Sequence, residues 1–251
     1  MIRRTYKYAP LLLLLFVLTG CGTSPTSYPP LDPATAGFFT KYFIIPLSDL
    51  LDFFANSIGN SYGISILIVT IIIRVIVLPL TLKQYKSSKR MQEVQPEMAK
   101  IREKFKDNPQ KQQEETMKLF QKHGVNPLAG CFPILIQMPI LLALYQAIVR
   151  NPHIFSHQFL WMELGKPDPF YVLPVLAAAT TFIQQKVMSA QNPMNKQMQS
   201  IMFIFPVMIF VMSMSFASAL PLYWIYSNIF TIVQTYFLYG RSPKTKGGQA
   251  A

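Results

Sequence analysis

Arg74 places a guanidinium in the middle of a segment, Ser65 to Leu80, that is otherwise composed almost entirely of apolar residues. A charge at bilayer depth costs about 2.5 to 3.5 kcal/mol even on lenient scales, so it should face a partner or a hydrated cavity. Snorkelling to the lipid headgroups is the alternative. The next basic residue, Lys83, is nine positions further on, which is about 13 Å of helix and roughly twice the reach of an arginine side chain. Arg74 is therefore predicted to be a cation inside a polar cavity, with a structural partner as the remaining explanation.

Polar side chains in the other apolar stretches lie at a similar depth, in the half nearer the basic connections. They are Gln137, Gln184, Gln185, Asn228, Thr231 and Gln234. The opposite half consists of aliphatic and aromatic residues such as Tyr223 and Trp224. A through-pore needs polar lining along its whole length, whereas a dead-end cavity needs it on one side. The set predicts a groove open to one side of the membrane, although each glutamine alone is equally well explained by a hydrogen bond between helices.

The amino-acid composition also indicates a membrane protein. The chain is 51% hydrophobic and carries a formal charge of +12. Its Lys and Arg residues concentrate between long apolar runs, whereas a nucleic-acid-binding protein would spread them over a soluble fold. We therefore predict a membrane protein with basic cytoplasmic parts and no direct nucleic-acid substrate.

Five apolar stretches predict an all-α membrane protein with five transmembrane helices that form a one-sided hydrophilic groove. The predicted spans are residues 61–82, 127–149, 170–186, 200–217 and 221–239. Residues 150–169 form the extracytoplasmic loop, 187–199 a cytoplasmic loop and 240–251 a cytoplasmic basic tail. Orientation follows from the basic residues: the connection 83–122 holds eleven Lys and Arg, whereas 150–169 holds Arg150 and Lys166. Basic loops remain in the cytoplasm, so the groove opens to the cytoplasm and the N-terminus lies outside.

The N-terminal segment has the features of an export signal. Residues 1–20 combine a basic start with a short apolar run, and they end in Leu18-Thr19-Gly20-Cys21, which resembles a bacterial lipobox. We predict a lipoprotein signal peptide, with a diacylglycerol and an N-acyl lipid on Cys21 and no other cofactor. Residues 21–36 are predicted to be an extracytoplasmic tether. Residues 37–60 are predicted to be an amphipathic helix on the outer membrane interface, with a core-facing helix as the alternative.

No metal site is predicted. After removal of the signal peptide only Cys131 would remain as a cysteine, so neither a disulfide within the chain nor a cysteine-based metal site is expected. His153 and His157 have the spacing of a metal-binding pair, but no further ligand accompanies them and Pro152 weakens the helix there.

The cytoplasmic connection 83–126 predicts a helical hairpin. Apolar residues repeat at intervals of three and four, as in a coiled-coil seam. They are Met91, Val94, Met98, Ile101 and Phe105. Asp107-Asn108-Pro109 predicts a turn, after which Met117 and Phe120 mark a second apolar face. A solvated linker is the alternative, and the basic outer surface is suited to anionic lipids, ribosomal RNA or targeting factors.

Residues 38–239 resemble the YidC/Oxa family of membrane protein insertases. The most specific similarity is the run Asn126-Pro127-Leu128-Ala129-Gly130-Cys131-Phe132-Pro133-Ile134-Leu135-Ile136-Gln137-Met138-Pro139-Ile140, which looks like the family's second-span signature. Arg74 with Pro79-Leu80, Asn192-Pro193-Met194-Asn195 and Leu220-Pro221-Leu222-Tyr223-Trp224 support it. The lipobox stands where Gram-negative members carry an extra span and a large extracytoplasmic domain, as it does in Gram-positive members.

The resemblance implies an insertase and folding helper, alone or beside the Sec translocon, and not an enzyme. Its five-span core would receive hydrophilic segments of nascent membrane proteins in a bacterial plasma membrane. By motif, Arg74 would be the groove cation, Gln137 and Gln184 its polar lining, and Trp224 an aromatic near its outer part. Ribosomes and signal-recognition targeting machinery are the other implied partners, although the short tail offers only Arg241, Lys244 and Lys246 for a ribosome.

Two other classes of protein compete with this interpretation. A small transporter or channel would usually show inverted repeats and paired acids in its spans, but no repeat is evident and no Asp or Glu lies within the predicted spans. A lipoprotein receptor would use the basic hairpin to recruit cytoplasmic partners. No glycine-rich nucleotide loop is present in the sequence, so the predicted insertase would draw on hydrophobic burial, the membrane potential or its partners.

Overall fold

The computed structural model describes residues 31–125, 132–191 and 196–240, and this part of the chain is mostly helical. In chain order the elements are α1 (Ile45–Ser57), α2 (Tyr62–Lys104), α3 (Pro109–Lys122), α4 (Phe132–Arg150), α5 (Pro152–Phe155), β1 (Gln158–Phe159), β2 (Met162–Glu163), α6 (Val172–Gln191), α7 (Lys196–Ser213) and α8 (Ala219–Gly240). A π-helical turn, Thr40–Ile44, leads into α1. The predicted signal peptide, Cys21, Cys131 and the basic residues of the tail lie outside the described residues.

The longest helix, α2, joins two units that the sequence analysis separates. It runs for 43 residues through Pro79 and Pro96, which is about 65 Å at 1.5 Å per residue. Its first part is the predicted span 61–82, and its second part is the first helix of the predicted hairpin. A proline removes a backbone donor and favours a helix end, and the change from apolar to charged residues also suggests a boundary. The structure instead connects the Arg74 segment directly to the helical hairpin.

Other helices also extend past their predicted limits. The predicted third span ends at residue 186, but α6 continues to Gln191. Helix α7 begins at Lys196, inside the predicted loop 187–199, but ends at Ser213, four residues before the predicted limit of the fourth span at 217. Polar residues at these helix ends made the apolar stretches look shorter than the helices that contain them.

The main hydrophobic core lies at the end of the bundle that the charge pattern places outside. It unites buried residues of α1, α2, α4, the loop after α5 and α8, including Leu51, Ile66, Ile148, Leu164 and Tyr223. A buried polar network crosses the same region. Asn151 donates through Nδ2 to Ser48 Oγ (2.9 Å) and to both carboxylate oxygens of Asp52 (3.0 and 2.9 Å). This end of the bundle is therefore tightly packed.

Helix α1 and the π-helical turn before it present two different apolar faces. Ile44, Leu51 and Ala55 are buried in the main core, as the core-facing alternative expects for one face. Tyr42 and Phe53 are 60% and 63% exposed, although burial of such side chains would be favourable by about 1.5 to 3 kcal/mol each. One face thus attaches α1 to the bundle, and the other remains available for the membrane interface.

Large apolar side chains also cover the outer surface of the long helices. Exposed examples are Ile71, Val75 and Ile76 on α2, Val175, Leu176 and Ile183 on α6, Ile204, Val207 and Val211 on α7, and Ile229, Val233 and Phe237 on α8. Within the described residues, α2 is the helix long and apolar enough to cross a membrane, with a mean hydropathy of 2.6 over its most apolar window. Only 28% of that window is buried, which is unlike a core helix of a soluble protein. Shorter apolar runs occupy Ile136–Arg150 and Ile204–Ser213.

The helical hairpin has a small hydrophobic core of its own. Helix α3 packs against the second half of α2 through Val94, Met98, Leu119, Phe120 and Val125. The Asn108 side chain caps α3 by accepting from the Lys111 backbone N–H (3.1 Å). The prediction that Met117 shares the apolar face was wrong, because Met117 is 45% exposed. Helical spacing favours Met117, three residues before Phe120, but the rotation of α3 against α2 buries Leu119 with Phe120 instead.

Leu119→Ala should loosen the hairpin, whereas Met117→Ala should not. Leu119 is 6% exposed, and truncation of a buried leucine costs about 2 to 5 kcal/mol. Hydrogen exchange in detergent should therefore show faster exchange across 91–122 in Leu119→Ala and unchanged exchange in Met117→Ala. Equal exchange in the two variants would contradict the observed packing.

Candidate functional site

Arg74 lies on the face of α2 that packs against α8. Its Nη2 donates a hydrogen bond to Ser227 Oγ, and Ser227 is only 3% exposed. Ser227 is not among the groove residues predicted from the sequence, and a serine in an apolar helix often bonds within its own helix. The available signal was spacing: Tyr223, Ser227 and Thr231 recur every four residues and so share one face of α8.

A second hydrogen bond extends this polar site to α4. Gln137 Nε2 donates to the Tyr223 hydroxyl at 2.5 Å, and Tyr223 is 2% exposed. From the sequence, Tyr223 was predicted to lie in the apolar outer half of its span, and its hydroxyl was not predicted to join a polar cluster. Arg74, Ser227, Tyr223 and Gln137, hereafter the Arg74 cluster, bring together polar groups from α2, α4 and α8.

The hydrogen-bond partner of Arg74 in this cluster is neutral. Across residues 31–125, 132–191 and 196–240, no Asp or Glu forms an ion pair with Arg74. The next two residues, Val75 and Ile76, are 55% and 70% exposed, so the helix surface beside the arginine is apolar. A partly buried cation with only neutral partners keeps a strong attraction for an anionic group.

Asn228 forms a polar contact between α8 and α6. Its Nδ2 donates to Thr180 Oγ1 (3.1 Å) and Thr181 Oγ1 (2.9 Å) on α6, and the residue is 6% exposed. Adjacent residues of a helix point about 100° apart, so Asn228 faces α6 while Ser227 faces α2. The structure therefore uses Asn228 to connect α6 and α8, outside the Arg74 cluster.

Three further residues that were predicted to line the groove are not members of the Arg74 cluster. Thr231 donates to the Ser227 backbone carbonyl at 2.8 Å, one turn inward from the cluster. Gln184 Nε2 donates to Met188 Sδ (3.9 Å) on its own helix. Trp224 is half-buried against the main core.

Among the described residues, one glutamine on α6 and one on α8 each contain a buried amide atom without a hydrogen-bond partner. They are Gln185 Oε1 on α6 and Gln234 Nε2 on α8. Leaving such an atom unpaired costs about 1 to 3 kcal/mol. Both residues lie further along their helices than the Asn228 contact with α6. An amide acceptor and an amide donor therefore remain without partners toward the C-terminal ends of α6 and α8.

Asn228→Ala should weaken the connection between α6 and α8. It removes two hydrogen bonds and leaves an apolar gap, so we expect a loss of about 1 to 3 kcal/mol in stability. Thermal unfolding in detergent is the measurement, with Ile229→Ala as the control because Ile229 is 48% exposed. An equal shift of the melting temperature in both variants would contradict this role.

Comparison with known proteins decides the family. The model of the family described as 60Kd inner membrane protein matches residues 53–245. The chain belongs to this family. YidC-type insertases of the family match over nearly the whole chain, including membrane protein insertase MisCA of Bacillus subtilis, 49% identical over 232 residues, with coverage of 90% of this chain and 88% of the relative. Membrane protein insertase YidC 2 of Bacillus anthracis is 46% identical over 247 residues, covering 96% and 95%.

A solved YidC structure supports the same assignment. The crystal structure described as an active YidC insertase with its first transmembrane domain resolved matches with a TM-score of 0.67 and 27% identity. The match covers 82% of this chain and 48% of that chain. The resemblance to YidC-type insertases seen in the sequence is thereby confirmed.

Proposed function

We propose that this chain is a membrane protein insertase in which the Arg74 cluster receives the polar segment of an incoming membrane protein. The observation that carries the proposal is a guanidinium held between apolar helices by a neutral serine. A purely structural arginine would be expected to have a carboxylate partner that neutralises its charge. A neutral partner positions the guanidinium and leaves its charge for a substrate. The family membership and the names of the relatives support insertion as the activity.

The proposed membrane placement has five spans and a cytoplasm-open groove. Exposed apolar faces on α2, α6, α7 and α8 would contact lipid, and the basic hairpin and tail would lie in the cytoplasm. The main core would close the outer end, because Tyr223, Leu164 and Leu51 are buried there. Water would then reach the Arg74 cluster from the cytoplasm only. The chain would lie in a bacterial plasma membrane, with lipid-modified Cys21 outside.

Insertion begins with attraction between Arg74 and a polar tail that must reach the outside. Carboxylates or backbone carbonyls of the tail would replace Ser227 as acceptors for the guanidinium. The attraction is stronger in low dielectric than in water. A hydrated cavity halfway into the bilayer also shortens the apolar distance that the tail must cross. Gln185 and Gln234 would offer hydrogen bonds to the tail along the inner part of its route, since each has an unpartnered buried atom among the described residues.

Release of the substrate is driven by the hydrophobic effect. As the apolar segment of the substrate follows its tail, transfer into lipid along the exposed faces of α6 and α8 gains about 25 cal/mol for each Å² of apolar surface. A binding site with several charges would hold the tail too firmly. One cation surrounded by neutral hydroxyl and amide groups combines attraction with release.

The cytoplasmic hairpin is the proposed contact for partners that deliver substrates. Its side chains carry eleven Lys and Arg between residues 83 and 122, and α2 connects it without a break to Arg74. Ribosomes, signal-recognition targeting machinery and the Sec translocon are the proposed partners. A docked partner would thus deliver a nascent chain close to the cytoplasmic opening of the groove.

Reconstitution tests the proposed function directly. The purified chain in liposomes should insert a short single-span substrate, measured as protection of the translocated tail from added protease. Liposomes without the chain provide the baseline. Ion flux through the same vesicles should remain at background, because the outer end is closed. Strong flux without insertion would favour a channel and contradict the proposal.

A further inference from the structure

The extracytoplasmic loop between α5 and α6 carries four exposed apolar or aromatic side chains. Leu160, Trp161, Phe170 and Tyr171 are 71%, 40%, 69% and 50% exposed. Neither the groove nor the main core uses them. We call these four residues the loop patch.

A buried carboxylate holds the loop patch together. Asp168, which is 3% exposed, accepts from Trp161 Nε1 (3.0 Å) and the Phe170 backbone N–H (3.1 Å) through Oδ1. Its Oδ2 accepts from the Leu173 backbone N–H at 2.7 Å. One side chain therefore fixes the indole, the Phe170 segment and the start of α6 relative to one another. The aromatic side chains are displayed by an ordered scaffold.

The backbone also favours display of these residues. Leu160 and Tyr171 both adopt a φ of 56°, a region that non-glycine residues enter at an energetic cost. Leu160 lies in the turn of the β1–β2 hairpin, where asparagine or glycine would be the ordinary residue. Such a conformation for an exposed leucine indicates that the exposed side chain itself is useful.

The loop patch continues into the apolar surface of α6. Tyr171 is followed by Val172, Val175, Leu176 and Ile183, which are 38%, 54%, 43% and 50% exposed and recur at helical spacing. If α6 spans the bilayer, this stripe contacts acyl chains, and its outer end lies at the level of the headgroups. Tryptophan and tyrosine are enriched at that level, because each has an apolar ring and a polar group.

We propose that the loop patch inserts into the outer leaflet and anchors the closed end of the groove to the lipid surface. This proposal rests on the proposed membrane placement of α6. The partner is the phospholipid interface itself. Contact between this loop and the lipid surface would keep the closed outer end of the groove at a constant depth in the bilayer while the substrate moves through the inner half.

Single-tryptophan fluorescence tests this proposal, because the chain contains only Trp161 and Trp224. In Trp224→Phe, Trp161 is the sole emitter. Two controls use a chain in which both tryptophans are phenylalanine: Gln158→Trp on the exposed side of the same hairpin, and Ile183→Trp about 16 Å further along α6. Each protein is placed in vesicles whose lipids carry bromine near the glycerol or near the chain ends, and aqueous iodide is the water-phase quencher.

Trp161 should emit at shorter wavelength than Gln158→Trp, be quenched most by bromine near the glycerol, and resist iodide. Ile183→Trp should be quenched most by bromine near the chain ends. If Trp161 is quenched by iodide like Gln158→Trp while Ile183→Trp responds to lipid, the loop proposal is wrong and the spanning proposal stands. If Ile183→Trp also shows no lipid quenching, both proposals are wrong. Should Trp224→Phe fail to fold, the difference between the native chain and Trp161→Phe gives the same spectrum.

Discussion

Arg74→Ala is expected to reduce insertion of a substrate with an acidic tail by about tenfold or more. The basis is loss of a charge-assisted interaction worth about 1.5 to 3 kcal/mol, with each 1.4 kcal/mol corresponding to a factor of ten. Protease protection of the tail in reconstituted vesicles is the measurement. Arg74→Lys should retain part of the activity, because it keeps the charge but loses the planar donor fork.

Two controls separate the role of charge from structural damage. Ile76→Ala alters a residue that is 70% exposed on the same helix and should leave insertion unchanged. A substrate whose tail acids are replaced by neutral residues should depend less on Arg74. Insertion of the acidic substrate at the wild-type rate by Arg74→Ala would exclude the cation role for that substrate.

Asp168→Ala should be among the most destabilising substitutions in the described part of the chain. It leaves three donors, Trp161 Nε1 and the backbone N–H groups of Phe170 and Leu173, without their shared acceptor. At about 1 to 3 kcal/mol for each unsatisfied donor, partly relieved by water, the expected loss is about 3 to 5 kcal/mol. Thermal unfolding in detergent should show a large decrease in melting temperature.

Matched variants make the Asp168 prediction specific. Asp168→Asn keeps the size of the side chain and one acceptor oxygen, so its loss should be intermediate. Asp49→Ala removes an exposed carboxylate on α1 and should change the melting temperature little. A small effect of Asp168→Ala, similar to that of Asp49→Ala, would show that water replaces the carboxylate and that the loop is held by other contacts.

The polar site was predicted from the energetic cost of a charge in an apolar helix and from the similar depth of the polar residues. The direction in which each side chain points could not be predicted in this way. Arg74 and Gln137 were found because polar residues are costly in apolar helices. Ser227 and Tyr223 were missed as cluster members, since a serine hydroxyl or a tyrosine ring is tolerated in many places. The depth of Asn228 was predicted, but its contact with α6 depends on its angle around α8. The depth of a residue in the membrane follows from its position along the helix. The neighbouring helix that its side chain faces depends on how the helices pack.

In the fold, too, sequence periodicity predicted some features, whereas others depended on contacts between helices. Intervals of three and four residues predicted that Val94 and Met98 form a seam, and both are buried against α3. The choice of Leu119 instead of Met117 depended on the rotation of α3 about its axis. The unbroken course of α2 through Pro79 could not be read from local propensity, because proline and a change in polarity both favour a boundary.

Photocrosslinking from position 231 tests the central claim, that the polar segment of a substrate enters the groove at the Arg74 cluster. Thr231 lies one turn inward from Ser227 on the same face of α8, and replacing it leaves Arg74 in place. A crosslinking residue there should capture a ribosome-bound nascent membrane protein, and the yield should fall strongly in the Arg74→Ala background. A crosslinking residue at Val211, which is 58% exposed on α7, should capture less and be insensitive to Arg74. Capture from 211 but not from 231, or a yield at 231 that is independent of Arg74, would contradict the account.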